Sequence, residues 1–92
     1  MKILHLHLIS DSTGETTSLV GRASLAQFED IRAIEHLWNM VRNEKQVHEA
    51  LAGIAAHKGF VLYTLVDGTL RKVLEDGCRK LNVPYVPVID PV

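Results

Sequence analysis

The chain has 92 residues, enough for one small domain with a single core. Hydrophobic residues make up 47% and charged residues 23%, close to the average for a folded globular domain, which excludes disordered, collagen-like and coiled-coil classes. Ten Lys and Arg residues against eleven Asp and Glu residues give a net charge of -1 without a basic stripe, so nucleic acid is not an expected partner.

Cysteine content and hydropathy indicate the compartment. Cys78 is the only cysteine, so the chain cannot form an intramolecular disulfide, and a reducing compartment is favoured. No apolar run approaches the ~20 residues of a membrane span, and the first residues lack the apolar core of a signal peptide. We therefore expect a cytoplasmic protein that does not enter a membrane.

The first predicted elements are a strand and a helix. Residues 3–9 form an apolar run interrupted only by His5 and His7, which predicts a buried strand. Within residues 16–28 the apolar side chains recur at helical spacing, and Ser12 with Glu15 has the S-x-x-E form of a capping box. A helix is therefore expected to begin in or just after the loop at residues 10–14.

The next segment, residues 31–41, fits two structures. Ile31, Ile34 and Trp38 have helical spacing, whereas the β-branched and aromatic content permits a strand. One helix running from residue 16 to residue 42 would be unusually long for so small a domain. We therefore predict a strand with both faces partly covered.

The second half of the chain repeats the strand and helix pattern. Asn43 and Gln46 form another possible capping box, which predicts a second helix that ends near Gly59. Residues 60–66 are seven consecutive strand formers and give the strongest strand signal. A third helix, capped by Asp67 or Thr69, is expected to follow.

The last predicted strand and the element order define the fold class. Asn82 and Pro84 are expected to end the third helix, and residues 85–89 predict a short strand that its prolines place at a sheet edge or strand end. Strands and helices alternate, which is typical of parallel sheets with right-handed crossovers. The prediction is one α/β domain over residues 1–92, a Rossmann-like three-layer sandwich of four mostly parallel strands with helices on both faces.

A ligand site is expected beyond the carboxyl ends of the strands. The loop after the first strand combines hydroxyl groups, a glycine and the free N–H groups of a helix start, which together can cradle a phosphate. The predicted phosphate- or nucleotide-binding residues are Ser10, Asp11, Ser12, Thr13, Gly14, Glu15 and Thr16.

Helix capping is the simpler explanation of the same loop and is favoured for the bare pattern. Glu15 at a helix start also opposes an incoming anion. The chain contains neither G-x-x-x-x-G-K-[ST] nor G-x-G-x-x-G. An aspartic protease interpretation of the Asp-Ser-Thr-Gly segment fails, because that chemistry requires a second carboxylate loop and a β-rich fold.

Three acidic residues, Asp11, Asp67 and Asp90, are expected at the same end of the sheet. Such a group could hold Mg²⁺ or accept a proton. Capping by Asp67 and a turn at Asp90 are the favoured alternatives, so both residues are secondary candidates.

The histidines give no catalytic or metal-binding pattern. His5 and His7 share one face of the first strand and could supply two metal ligands, but no third ligand is evident, so we interpret them as core or partner-facing residues. His36, His48 and His57 are dispersed along the chain, and no Ser-His-Asp or Cys-His arrangement can be argued. No catalytic residue and no metal ligand is predicted.

The sequence nevertheless resembles one bacterial and plastid family. The segment His-Leu-Ile-Ser-Asp-Ser-Thr-Gly-Glu-Thr at residues 7–16, followed by Arg-Ala-Ser-Leu-Ala-Gln-Phe at 22–28, is similar to the opening of the regulatory proteins of pyruvate, phosphate dikinase and phosphoenolpyruvate synthase. The resemblance continues through residues 59–67, 70–71, 83–84 and 90–91, and it implies a strand at 31–41.

The resemblance implies a bifunctional enzyme. Members use ADP to phosphorylate a threonine of the dikinase or synthase, and inorganic phosphate to remove that group with release of pyrophosphate. They are longer and carry their glycine- and lysine-containing phosphate loop in a C-terminal kinase-like domain. We therefore expect this chain to be the N-terminal part of such a serine/threonine kinase and phosphotransferase, inactive alone, with the ADP and phosphate sites mainly outside it.

Mg²⁺ is an expected companion of phosphoryl transfer in such an enzyme. Pyruvate, phosphate dikinase or phosphoenolpyruvate synthase is the expected partner, and an unpaired sheet edge allows a homodimer. Two alternatives stay open: a stand-alone nucleotide- or phosphate-binding module, and an interaction or dimerisation domain without catalysis.

Overall fold

A computed structural model describes residues 2–88 of the chain. Four strands alternate with three helices along these residues. The strands are β1 (Lys2–Ser10), β2 (Ile31–Trp38), β3 (Phe60–Thr64) and β4 (Tyr85–Pro87). The helices are α1 (Glu15–Leu25), α2 (Glu44–Ala56) and α3 (Gly68–Leu81).

The four strands form one parallel sheet in the order β2-β1-β3-β4. This confirms the predicted α/β class and places β4 at an edge, as its prolines indicate. The segment at 31–41 is a strand, as predicted, although β2 ends at Trp38. It stops there because the chain turns at Met40, whose φ of 57° is left-handed.

Alternating side chains of β1 build the two faces of the sheet. On one face Leu6 and Leu8 pack with Leu62 of β3, and Leu25 of α1 covers them. The opposite face carries the larger core, in which Ile9, Val61 and Tyr63 contact the buried sides of α2 and α3. Helices therefore lie on both faces, and Cys78 of α3 is fully buried in the larger core.

Two helix starts agree with the sequence and one does not. Asn43 accepts a hydrogen bond from the Gln46 N–H at 2.9 Å, and Asp67 accepts from two N–H groups of α3, so both predicted caps are confirmed. The predicted capping box of Ser12 and Glu15 is wrong, because Gly14 is the N-cap of α1 and no side chain among residues 2–88 caps it. The Ser12 hydroxyl lies beside the Ser10 hydroxyl instead, at 3.2 Å.

The end of α2 also differs from the prediction. The last residue of the helix is Ala56, and its C-cap is His57 rather than Gly59. Gly59 has another role, because a β-carbon at this position would overlap the carbonyl group of His5. The glycine therefore allows the turn between α2 and β3 to pass directly against β1.

None of the helices within residues 2–88 is long and apolar enough to cross a membrane.

Candidate functional site at the carboxyl edge of the sheet

Three loops meet at the carboxyl ends of β1, β2 and β3, where a ligand site is expected in a parallel sheet. They surround an open cavity of about 370 Å³. Its lining contains two carboxylates and one guanidinium among apolar side chains, from Asp11, Val41, Arg42, Val66, Asp67 and Leu70.

Ser10 organises the first loop from the inside of the protein. Its side chain is fully buried, and its Oγ accepts hydrogen bonds from the Ser12 N–H at 3.0 Å and from the Thr64 hydroxyl at 3.1 Å. The Ser12 N–H bond curls the chain back over the end of β1, as serine hydroxyls often do at turns. Because these hydrogen bonds are internal, Ser10 shapes the loop rather than facing a ligand.

The start of α1 has no side-chain cap within the described residues. Gly14 has φ of 79°, and a β-carbon there would meet the Asn39 side chain, so only glycine fits. The first backbone bond of the helix runs from the Ser18 N–H to the Gly14 carbonyl, which leaves the N–H groups of residues 15–17 without an acceptor in the helix. The buried Thr17 hydroxyl also donates to the Gly14 carbonyl, at 2.9 Å.

The remaining predicted residues of this loop lie at its surface. Thr13 and Glu15 are exposed, and Thr16 is half-buried. Ser12 is exposed as well, so its hydroxyl can reach solvent or a ligand while it stays near Ser10. The exposed Glu15 carboxylate complements the positive end of the α1 dipole and competes with an anion for the same field.

Asp11 ties the three loops together. Its carboxylate accepts a hydrogen bond from the Val66 N–H at 2.9 Å, and its carbonyl accepts one from Arg42 Nε at 3.1 Å. Arg42 thereby holds its guanidinium at the first loop, and its Nη2 lies 3.7 Å from the Met40 sulfur. Arg42 was not singled out from the sequence; its position directly after the second predicted strand was the only signal.

Asp67 has the role that its capping pattern predicts. Its Oδ1 accepts from the Thr69 N–H at 2.8 Å and from the Leu70 N–H at 3.1 Å. Asp90, the third acidic candidate, lies outside the described residues. The carboxylates of Asp11 and Asp67 thus hold backbone N–H groups, and residues 2–88 contain no group of three or more His, Cys, Asp or Glu side chains placed to hold a metal ion.

The histidines are less dispersed than their positions in the chain suggest. His36 and His57 stand beside His5 and His7 next to the amino end of β3, and only His48 lies apart on α2. His36 and His57, which are dispersed in the sequence, are therefore neighbours in the structure. Parallel register explains the meeting, because His7 of β1 pairs directly with His36 of β2.

The carboxyl edge offers N–H donors and one cation, the groups that proteins use to bind a phosphate. The molecule is thus an α/β domain of the parallel, doubly wound class. The kinase/pyrophosphorylase family model matches residues 6–92, and the chain belongs to that family.

The chain is similar over its whole length to proteins of three bacteria. A protein of Paramagnetospirillum magneticum and one of Brucella anthropi are each 49% identical over all 92 residues, and one of Rhodospirillum rubrum is 48% identical. Each is named as a pyruvate, phosphate dikinase regulatory protein. The match covers 100% of this chain but 30%, 33% and 34% of these relatives respectively, so the chain spans about a third of their length.

Proposed function

We propose that this chain is the N-terminal portion of a bifunctional regulator that phosphorylates a threonine of pyruvate, phosphate dikinase or phosphoenolpyruvate synthase with ADP and removes the phosphoryl group with inorganic phosphate. The observation that carries the proposal is the family match over residues 6–92 together with the names of the relatives. Phosphoryl transfer needs a positive cradle for the moving group. Among the described residues Arg42 is the only cation lining the carboxyl-edge cavity, so the catalytic assembly is expected in the other two-thirds of the protein and this chain alone is expected to be inactive.

Within that enzyme, we propose that the loop at residues 10–16 binds a phosphate group of the nucleotide or inorganic phosphate. The uncapped N–H groups of Glu15 and Thr16 and the guanidinium of Arg42 supply the attraction. Ser12, Thr13 and Thr16 add hydroxyl groups at the surface of the same loop. Loss of one charge-assisted hydrogen bond to a phosphate costs about 1.5–3 kcal/mol, or roughly 10- to 100-fold in affinity.

The enzymatic part is tested by comparing this chain with a longer protein that contains it. Each is incubated with the dikinase or the synthase and labelled ADP, and phosphothreonine is measured. The longer protein is expected to label one of the two targets, and this chain neither. Failure of the longer protein to label either target would refute the kinase assignment, whereas labelling by this chain would refute the division of labour.

The binding part is tested by amide NMR of the labelled chain during titration with ADP, AMP and phosphate. Amide signals of residues 12–16 are expected to shift, and Arg42→Gln is expected to weaken the response roughly 10- to 100-fold. Arg32→Gln is the matched control, because Arg32 is an exposed arginine near the other end of β2. Unshifted signals, or an equal loss in both variants, would leave the loop as a structural turn.

A further inference from the structure

Four of the five histidine rings form one stack, made of His5, His7, His36 and His57, next to the amino end of β3. His5 and His7 come from β1, His36 from β2, and His57 from the C-cap of α2. The ring centroids are 4.5 Å apart for His7 and His36, 4.8 Å for His5 and His57, and 5.2 Å for the pairs of His36 with His5 and with His57. The histidine stack thus joins three elements that are distant in sequence.

The hydrogen bonds of His7 permit only its neutral form. The indole N–H of Trp38 donates to His7 Nδ1 at 3.3 Å, so this nitrogen is an acceptor and carries no proton. His7 Nε2 then carries the proton and donates to the His57 carbonyl at 2.8 Å. A second proton on Nδ1 would face the indole N–H of Trp38. Because the side chain is fully buried, no water could accept a hydrogen bond from that second N–H group.

His5 and His36 restrict each other in the same way. His5 Nδ1 and His36 Nε2 are 2.9 Å apart, so one nitrogen donates and the other accepts. If both rings carried two protons, two donors would face each other and the bond would break. The arrangement therefore holds at least two rings of the histidine stack neutral.

The charged side chains around the histidine stack do not stabilise a protonated ring. Within residues 2–88, the sheet face of the histidine stack carries no carboxylate from β1, β2 or β3, and Glu35 of β2 lies on the opposite face, where it pairs with Arg22. Arg32 lies on the same face of β2 as His36, and Lys58 follows His57 in the turn, so the charged residues at these two positions are cations. The charged side chains of α2 lie in its first turns, at the other end of that helix, at Glu44, Lys45 and Glu49.

Among the described residues, the only favourable partner for a charged ring is the His57 carbonyl at the end of α2. Desolvation by burial outweighs it and lowers the pKa of His7, and the positive fields of His36, His5 and His57 add to the effect. Desolvation and the fields of His5 and His57 likewise lower the pKa of His36.

We propose that the histidine stack is a proton-sensitive latch, which fastens β2 and the turn between α2 and β3 to β1 when neutral and releases them when protonated. Within the described sheet β2 is an edge strand that pairs only with β1, so it is the element with least support when the latch opens. The turn is held close by Gly59 against the His5 carbonyl. Trp38 would lose its acceptor at the last residue of β2, shortly before Arg42.

The direction of the effect follows from proton linkage. Above the ordinary histidine pKa of 6.5 both the latched and the opened chain are neutral, and the full stability is present. As pH falls below 6.5, the opened chain binds protons that the latched chain excludes, so stability is lost until pH reaches the lowered values. The equilibrium constant for opening or unfolding then rises up to about tenfold per pH unit for each excluded proton.

The latch is tested on this chain by urea unfolding at about pH 7.5 and about pH 5.5, and by amide hydrogen exchange under both conditions. The unfolding constant is expected to rise at least about tenfold at the lower pH. Amides of β2 are expected to lose protection before those of β3. The fluorescence of Trp38, the only tryptophan, reports the state of the latch directly.

His36→Gln removes one titrating ring. The rise of the unfolding constant between the two pH values is therefore expected to be smaller, by up to about tenfold for each pH unit. His48→Gln is the matched control, since His48 is exposed on α2 outside the histidine stack. If His36→Gln does not fold, NMR titration of the His7 and His36 ring protons in the unaltered chain decides the question. Equal unfolding constants at the two pH values, an equal effect of the two variants, or ring titration at or above 6.5 would each overturn the latch.

Discussion

The three helices begin differently, and this predicts three different changes in stability when the residue at the predicted cap is truncated to alanine. Asp67→Ala removes an acceptor for two N–H groups and a negative charge at the start of α3. A cap contributes about 1 kcal/mol and a charge in the helix dipole about 0.3–1 kcal/mol, so a loss of about 1.5–2 kcal/mol is expected. Asn43→Ala removes an acceptor for one N–H group and no charge, so a loss of about 1 kcal/mol is expected.

Ser12→Ala is expected to change the free energy of unfolding by less than about 0.5 kcal/mol, although its sequence pattern is that of a helix cap. The reason is that Ser12 makes no capping bond to α1 and its side chain is exposed. Within the described structure, the substitution removes a single hydroxyl interaction, the one with the Ser10 hydroxyl at 3.2 Å. The three variants therefore form a ranked series within one protein.

The series is measured by urea unfolding at constant pH and salt, followed by circular dichroism. With a slope of about 1.5 kcal/mol per molar urea, the midpoint is expected to fall by about 1 M for Asp67→Ala and by about 0.7 M for Asn43→Ala. For Ser12→Ala the shift should not exceed about 0.3 M. A loss for Ser12→Ala as large as that for Asp67→Ala would mean that Ser12 caps α1, and the N–H groups assigned to phosphate would already be in use.

Three further outcomes are expected. Gly59→Ala should lower the free energy of unfolding by about 1–3 kcal/mol, because its β-carbon would displace the His5 carbonyl. Gly68→Ala should leave this free energy unchanged, since a β-carbon there meets no atom within 4 Å. Equal values for the two variants in urea unfolding would contradict the close turn. Burial raises the pKa of the Cys78 thiol to about 11. The thiol should therefore react with a disulfide reagent at about pH 8 only after the chain unfolds, and rapid reaction of the folded chain would contradict its burial. An apolar groove between α1 and the sheet, lined by Leu25, Phe28 and Phe60 among others, is expected to mediate self-association of the chain. Phe28→Asp should therefore reduce concentration-dependent association in sedimentation velocity, while Val66→Asp, at an exposed residue outside the groove, should not. Equal effects of the two substitutions would exclude the groove as the contact.

The parts of the fold that could be predicted are those encoded locally. The seven strand formers at 60–66 predicted β3, and the caps at Asn43 and Asp67 predicted two helix starts, because each signal depends on residues within a few positions of one another. The start of α1 could not be predicted from the same rules. The S-x-x-E pattern is local, but the left-handed Gly14 lies against the Asn39 side chain, which belongs to a different loop beyond β2.

For the candidate site at the carboxyl edge, the sequence could indicate one loop but not the side chains of other loops that meet it. The rule for parallel sheets indicated the loop at residues 10–16, and the structure places Asp11 at the junction of three loops. Which other side chain meets that loop depends on the order of the strands. Because β2 is the outer neighbour of β1, the loop that carries Arg42 reaches Asp11.

Strand register governs both ends of β1 and explains why two clusters were hidden in the sequence. β1 and β2 pair in parallel with Ile9 opposite Trp38 and His7 opposite His36. This register fixes all the remaining neighbours along the two strands. At the carboxyl end it leads β2 into the turn that presents Arg42 to Asp11, and toward the amino end it sets His36 beside His5 and His7. A slip of one residue would turn His36 to the other face of the sheet and would separate His7 from His36 and Ile9 from Trp38. The register that assembles the proposed phosphate loop therefore also assembles the proposed latch.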